Sequence, residues 1–404
     1  TVEVNGAILI TLSPGRTSYS NTGLTAATTY SYSVSATDPA GNTSPLSDSV
    51  TATTWAANQR NVMLQPFESS SIWNTPIGTG AVYVQANITP PASIAQDDDI
   101  LILTPTAPMT AVDTSKAAWQ SATINRCNFK QWPVTPAGFS VPVPTNFILD
   151  NTLPGMDGTP NNAGAVLQPD NQTLIQFQPL QRCTAGGPLT YLAGALYANG
   201  NLYTDGMLGA HGGSQLSSIG GTIRLAELQP GNSPIVNGVA DVIRHVLKFE
   251  FNTGLFSHFG AGPFWPAQVQ DGASEGLLVA LLPSFNYNNL QSAPGRSIAW
   301  TLINYGAYIV DNSGWDDINI CTELSTSTLD GTINRVYSEF QSDWGYSFAR
   351  DSQDSTDPAT PWSEDIQTIV ANLQVITNNG PASVGGGGTP LQPLLPAVTS
   401  PGGN

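Results

Sequence analysis

The residues best suited to chemistry crowd into one stretch, Thr204–Asp271. It holds Asp205-Gly206, the run Ala210-His211-Gly212-Gly213-Ser214, Glu227, the pair Arg244-His245, and Trp265 ahead of Asp271-Gly272. All three histidines of the chain, His211, His245 and His258, fall inside it. A histidine followed by two glycines sits where the backbone can bend sharply and approach a ligand closely. Separated acids offer one protonated and one ionised carboxyl group, the pair that cleaves a glycosidic bond, and an imidazole beside them tunes or shuttles a proton. The expected catalytic set is Asp205, His211, Glu227, His245 and Asp271. The expected substrate contacts are Arg244, Trp265, Trp315 and Asp311. The two tryptophans are chosen because the flat apolar faces of sugars pack on aromatic rings, although core packing is the commoner fate of Trp. His245 has a competing structural role. Alternation within Ile243–Phe251 puts Ile243, His245 and Leu247 on one face, the place of a hydrogen-bonded core histidine. His258, beside Phe256 and Phe259, reads as a packing or surface residue.

Other chemistries lack their sequence marks. There is no Gly-x-Ser-x-Gly elbow, P-loop, His-Glu-x-x-His or Cys-x-x-Cys. His211, His245 and an acid have no ligand-like spacing, so neither a metal centre nor a cofactor is expected. Asp351-x-x-Asp354-x-x-Asp357 offers oxygens to a structural calcium, but it lacks the EF-hand order and reads as a solvated acidic loop. Asp97-Asp98-Asp99 reads as a plain turn.

Composition narrows the partners. The chain of 404 residues carries 12 Lys plus Arg against 29 Asp plus Glu, a formal charge of −17. Such a surface repels phosphates, so nucleic acid is not an expected partner. The longest apolar stretch, Gly276–Pro283, is far shorter than the roughly 20 residues of a membrane span. Only 10% of residues are charged, against roughly 25% in an average domain, which disfavours a helical bundle. Of the three cysteines, Cys127 and Cys183 lie in matching Arg-Cys settings beside strand-like sequence, so a Cys127–Cys183 disulfide is expected; three buried thiols are the alternative.

The elements that must position these residues read as mainly β. Short apolar runs are punctuated by Gly, Pro and Asn. Strands are expected at Ile100–Leu103, Ala165–Leu167, Leu174–Phe177, Gly221–Leu225, Val242–Phe251, Gly276–Leu282 and Ala307–Val310. Helices are expected around Thr114–Ala122, over Arg296–Tyr305, and from the N-cap Thr360 and Pro361 onward, where Ile366, Ile369, Val370 and Leu373 follow helical spacing. The expectation is a large β-sandwich or jelly-roll-like domain over 62–377 with a few short helices, after a linker at 55–61. A Gly/Pro-rich segment, 378–404, reads as a flexible tether.

Residues 1–54 resemble the second half of a bacterial fibronectin type III module. The likeness rests on Leu24, Tyr30, Tyr32, Val34 and Ala36 and on the turn Asp38-Pro39-Ala40-Gly41-Asn42-Thr43-Ser44, with Tyr30 where that fold places its corner tyrosine. The resemblance implies a partial sandwich used as a spacer or interaction module, and further modules upstream and beyond the tether. The body resembles a group of uncharacterised secreted bacterial proteins. That likeness rests on Phe67 with Trp73-Asn74-Thr75-Pro76, on Gly220–Arg224 with Glu227, on Ile243–Leu247, on Trp265-Pro266-Ala267 with Asp271, and on Tyr305–Asn312. It implies an extracellular or cell-surface bacterial protein and assigns no activity.

Three functions compete. The first is a secreted glycoside hydrolase on a polysaccharide, using carboxyl groups as acid and base. The second is a polysaccharide lyase, with His211 or His245 removing a proton and Arg244 neutralising a uronate. The third is a non-catalytic polysaccharide-binding or adhesion protein.

Overall fold

The computed structural model describes the chain except for residues 15–18, 20, 22–23, 55, 57–58, 92, 118–125, 150–160, 193–197, 226, 231–241, 253, 270–271, 273, 326–328, 331–332, 353, 355 and 402–404. The protein is mainly β. The N-terminal residues form a four-stranded antiparallel sheet of β1 (Val2–Val4), β2 (Ala7–Ile10), β3 (Thr29–Val34) and β4 (Val50–Thr53), in the order β2-β1-β3-β4. Tyr30 on β3 accepts a hydrogen bond from the Thr25 amide at 3.0 Å.

The body is built on one ten-stranded sheet. Its centre is β6 (Ser93–Ile102), β17 (Asp317–Ser325), β14 (Leu247–Asn252) and β16 (Ala307–Ser313). One flank is β9 (Gly164–Leu167), β10 (Thr173–Phe177) and β12 (Ala198–Asn201); the other is β15 (Leu278–Ala280), β20 (Gln374–Ile376) and β5 (Tyr83–Gln85). A smaller sheet joins β7 (Met109–Ser115), β8 (Val134–Pro142) and β11 (Leu189–Leu192). The short strand β13 (Leu208–His211) runs into a tight turn, and β18 (Leu329–Asp330) pairs with β19 (Ile333–Asn334). Pairing in the large sheet is mixed: β6 runs parallel to both β9 and β17, and β14 runs parallel to β16. The jelly-roll part of the expectation is corrected on this point, since jelly rolls are antiparallel.

Both faces of the large sheet are covered. On one face Ile100, Ile102, Val166 and Phe177 pack against Val112, Val141 and Leu189 of the smaller sheet. Further along that face Ile94, Phe249, Phe251, Ile309, Ile318 and Ile320 meet α1 (Ala293–Asn304), α2 (Arg335–Trp344) and α3 (Pro361–Ala371) through Ile298, Phe340 and Trp362. On the opposite face Leu101, Leu167, Tyr308, Val310 and Cys321 lie beneath Phe67, Ile72, Trp73, Leu216 and Ile219 from irregular segments. A sheet buried on both sides buries whatever its central strands carry, charged or not.

The helices over Arg296–Tyr305 and after Thr360 form nearly as expected. Ser292 caps α1 by accepting the Gly295 amide, and Thr360 caps α3 by accepting the Ser363 amide. The other outcomes differ. Thr114 and Ser115 belong to β7, not to a helix, and 118–122 lie outside the described residues. Gly221–Leu225 is not a strand, because only Ile223 bridges, to Thr322. Cys127 and Cys183 form a disulfide with Cα atoms 5.7 Å apart, and Cys321 is a buried thiol. The segment expected as a tether lies along the body over its described part. Gly78 and Leu391 donate to Gly385 and Ile77 carbonyls, Gly80 donates to Gly387, and Arg60 donates to Pro396. A Cβ on Gly78 would come within 1.9 Å of the Gly387 oxygen, so glycine permits this close backbone approach.

Candidate functional site

Alternation along three neighbouring strands brings charge to one buried face. On β6, Asp97 and Asp99 share a side with Leu101, while Ile100 and Ile102 face the smaller sheet. On β14, Leu247, Phe249 and Phe251 enter the helix-side core, so Lys248 and Glu250 point the other way. On β17, Cys321 stands beside Asp97 in register, and Glu323 beside Asp99. On β16 the register slips so that Phe249 pairs with Ile309 and Glu250 with Asp311. Val310 is the extra residue of this bulge, and the bulge turns Asp311 toward Glu250.

His211, at the end of β13, is fully buried among these groups. Its Nε2 lies 3.3 Å from Asp97 Oδ2, 3.4 Å from Asp99 Oδ1, 4.0 Å from Glu250 Oε1 and 3.6 Å from Cys321 Sγ. Gly212 adopts a positive φ of 42°, and a Cβ there would meet Asp311 Oδ2 at 1.9 Å. The close approach foreseen for this glycine pair is thus made to Asp311, whose Oδ1 accepts the Gly213 amide at 3.0 Å. Asn161 donates to both Glu250 and Asp311 at 3.3 Å. Lys248 Nζ sits 2.7 Å from Asp99 Oδ2 and donates to the Ser217 carbonyl. Thr222 donates to the same Asp99 oxygen at 2.6 Å.

These contacts set the protonation states. Burial raises the Asp99 carboxyl, but Lys248 and His211 outweigh it and hold the group below its usual range. Burial and Lys248 disfavour the His211 imidazolium, yet hydrogen bonds to Asp97 and Asp99 leave its pKa raised. Glu250 is pushed well above the carboxylate range by burial and then by Asp97 and Asp311. The Cys321 thiol is likewise pushed up by burial and by Asp99 and Asp97. One atom each of Asp97, His211, Glu250 and Cys321 lies within 4.8 Å of all the others, an arrangement able to hold a metal ion.

A second buried cluster adjoins the first along β17. Arg224 Nε donates to Glu323 Oε2 at 2.7 Å, and the Arg224 guanidinium also donates to the Met63 carbonyl. Glu227 accepts the Arg224 amide at 2.8 Å and faces His245 Nε2 at 3.1 Å. His245 Nδ1 faces the Val246 carbonyl at 2.8 Å. Both ring nitrogens face acceptors, so the imidazolium donates twice. Burial opposes this charge, but Glu227 outweighs it and raises the His245 pKa.

Among the described residues, the expected site residues fall into two adjoining buried clusters and several separate positions. His211 and Asp311 share one cluster, and Glu227 and His245 the other. Asp205 is exposed on a turn where its carboxylate accepts the Met207 amide, an ordinary Asp-Gly turn. Arg244 is exposed, and Trp265 is half-buried against the core beneath irregular segments. Asp271 lies outside the described residues. Trp315 stands at the turn between β16 and β17 with 58% of its surface exposed. The acids read as a turn, Asp97–Asp99, are instead the middle of a central strand. Asp98 projects to the opposite face, where it accepts the Tyr337 hydroxyl at 2.8 Å. Asp97, Asp99, Lys248, Glu250 and Cys321 are not among the expected site residues; the two-residue spacing of Asp97 with Asp99 and of Lys248 with Glu250 is the sequence signal for the first four, whereas Cys321 joins them only through strand register. Elsewhere, an open cleft of about 500 Å³ is lined by amides, including Gln85, Asn286, Asn289, Gln291 and Gln374, with Phe285 at its wall. Comparison with family models, curated proteins and solved structures finds no match to this chain.

Proposed function

We propose that the chain is an extracellular, non-catalytic polysaccharide-binding protein, with Trp315 as its stacking platform. The observation that carries this reading is the exposure of Trp315 on an anchored turn. Trp73, Trp300 and Trp362 are at most 1% exposed, whereas Trp315 is 58% exposed. Its backbone is held on both sides: its amide donates to Ser313 Oγ, and its carbonyl accepts from Ser313 Oγ and from Asn252 Nδ2. A rigid indole face offers apolar area to a sugar ring at little entropic cost. The Cys127–Cys183 disulfide supports an oxidising, extracellular setting. The resemblance of residues 1–54 to a spacer module supports an extracellular role. Among the described residues no helix is long and apolar enough to cross a membrane.

Binding is favoured over cleavage because, among the described residues, Asp205 lies on an exposed turn, while Glu227 is already engaged by His245 and the Arg224 amide. The groups around His211 are buried beyond the reach of a polymer chain. The test is retention on a panel of insoluble and soluble polysaccharides, for the chain and for Trp315→Ala. Retention of the chain, lost in the variant, with no reducing ends and no unsaturated products, is expected. Sugar release, or undiminished retention by Trp315→Ala, overturns the reading.

A further inference from the structure

The His211 cluster has a property that polysaccharide binding leaves unused: its donor set and spacing suit a small cation. Four-coordinate zinc binds N, S and O donors at about 2.0–2.3 Å, which places tetrahedral ligands about 3.3–3.7 Å apart. His211 Nε2 stands 3.3 Å from Asp97 Oδ2 and 3.6 Å from Cys321 Sγ. Cys321 Sγ is 4.0 Å from Asp97 Oδ2, and His211 Nε2 is 4.0 Å from Glu250 Oε1. We propose that Asp97, His211, Glu250 and Cys321 form a structural site for a divalent transition ion of the zinc class. One imidazole, one thiolate and two carboxylates match a borderline-soft ion, whereas calcium and magnesium call for oxygen ligands alone.

One further observation points to a missing charge. Four buried carboxyl groups, those of Asp97, Asp99, Glu250 and Asp311, surround one lysine and one histidine. Buried charges of one sign are expensive unless balanced. Binding exchanges the ion for the protons of its ligands, which leave to solvent, so the site loads more tightly as pH rises. Four protein ligands in a closed site leave no open position, which makes the ion structural rather than catalytic. It would join β6, β14 and β17 to the end of β13.

The test is titration of the full chain, disulfide intact, with Co²⁺ as a spectroscopic probe. Cys321 is the chain's one thiol, because the other two cysteines are paired. One ion per chain, a near-ultraviolet thiolate-to-cobalt band and the visible bands of a four-coordinate ion are expected. The thiolate band should vanish in Cys321→Ser, and affinity should fall at least about tenfold in His211→Gln. Failure to bind Co²⁺ or Zn²⁺ at micromolar concentration overturns the proposal, as does binding without the thiolate band. The band of the unaltered chain decides the matter even where a variant does not fold.

Discussion

The two histidine clusters of the body lie side by side along β17 and use the same residue types, yet their charges are arranged differently. Around His245, two cations meet two anions: Arg224 pairs with Glu323, and the imidazolium pairs with Glu227. Each His245 nitrogen has an acceptor, and the guanidinium also reaches a main-chain carbonyl. Around His211, carboxyl groups outnumber cations, a thiol replaces one partner, and the ring nitrogen Nδ1 makes no hydrogen bond among the described residues. A balanced buried network holds chain segments together. An unbalanced one costs stability unless something further binds.

Breaking the ion pair at the core of the unbalanced cluster should have the largest effect. Lys248→Met leaves Asp99 buried without its cation and should lower stability by about 3–5 kcal/mol in chemical denaturation. In the balanced cluster, Arg224→Gln removes the partner of Glu323 and should cost about 2–4 kcal/mol in the same measurement. A smaller, pH-dependent loss is expected for Glu227→Gln, about 1–3 kcal/mol for a hydrogen bond to a charged group. The sign follows from the raised His245 pKa. The stabilisation is fully present below the unfolded value of about 6.5 and fades as pH rises through the higher folded value. The difference between Glu227→Gln and the parent chain should therefore shrink in alkaline buffer, and the His245 midpoint followed by NMR should fall in the variant. The least effect on stability belongs to the exposed Trp315→Ala, within about 0.5 kcal/mol, so any loss of polysaccharide retention there reports binding rather than folding.

The contrast also explains what the amino-acid pattern revealed. The mainly β class, two of the three helices and the disulfide were legible, because caps, periodicity and residue setting act locally. The large sheet's two-sided burial is a tertiary property, and it misled the site reading. Asp is depleted in strands, so Asp97–Asp99 looked like a turn, although parallel pairing with β9 and β17 holds it in a central strand. Lys248 and Glu250 alternate with Leu247, Phe249 and Phe251, a pattern that normally sends charge to water. Here the covering segment with Phe67, Ile72 and Trp73 closes that face. His211 was recognised because its glycines mark a close approach, but the bulge that turns Asp311 toward it left no sequence signal. The helix α2, with Val336 and Phe340 four residues apart, has a short apolar stripe among polar neighbours, a weak signal in the sequence.

Zinc content per chain tests the contrast most directly, measured by elemental analysis after equilibration with zinc and gel filtration, on the parent chain, His211→Gln and His245→Gln. One ion should be retained by the parent and by His245→Gln and lost from His211→Gln. Equal zinc content in both variants, or loss from His245→Gln alone, would contradict the assignment of the unbalanced cluster as the metal centre.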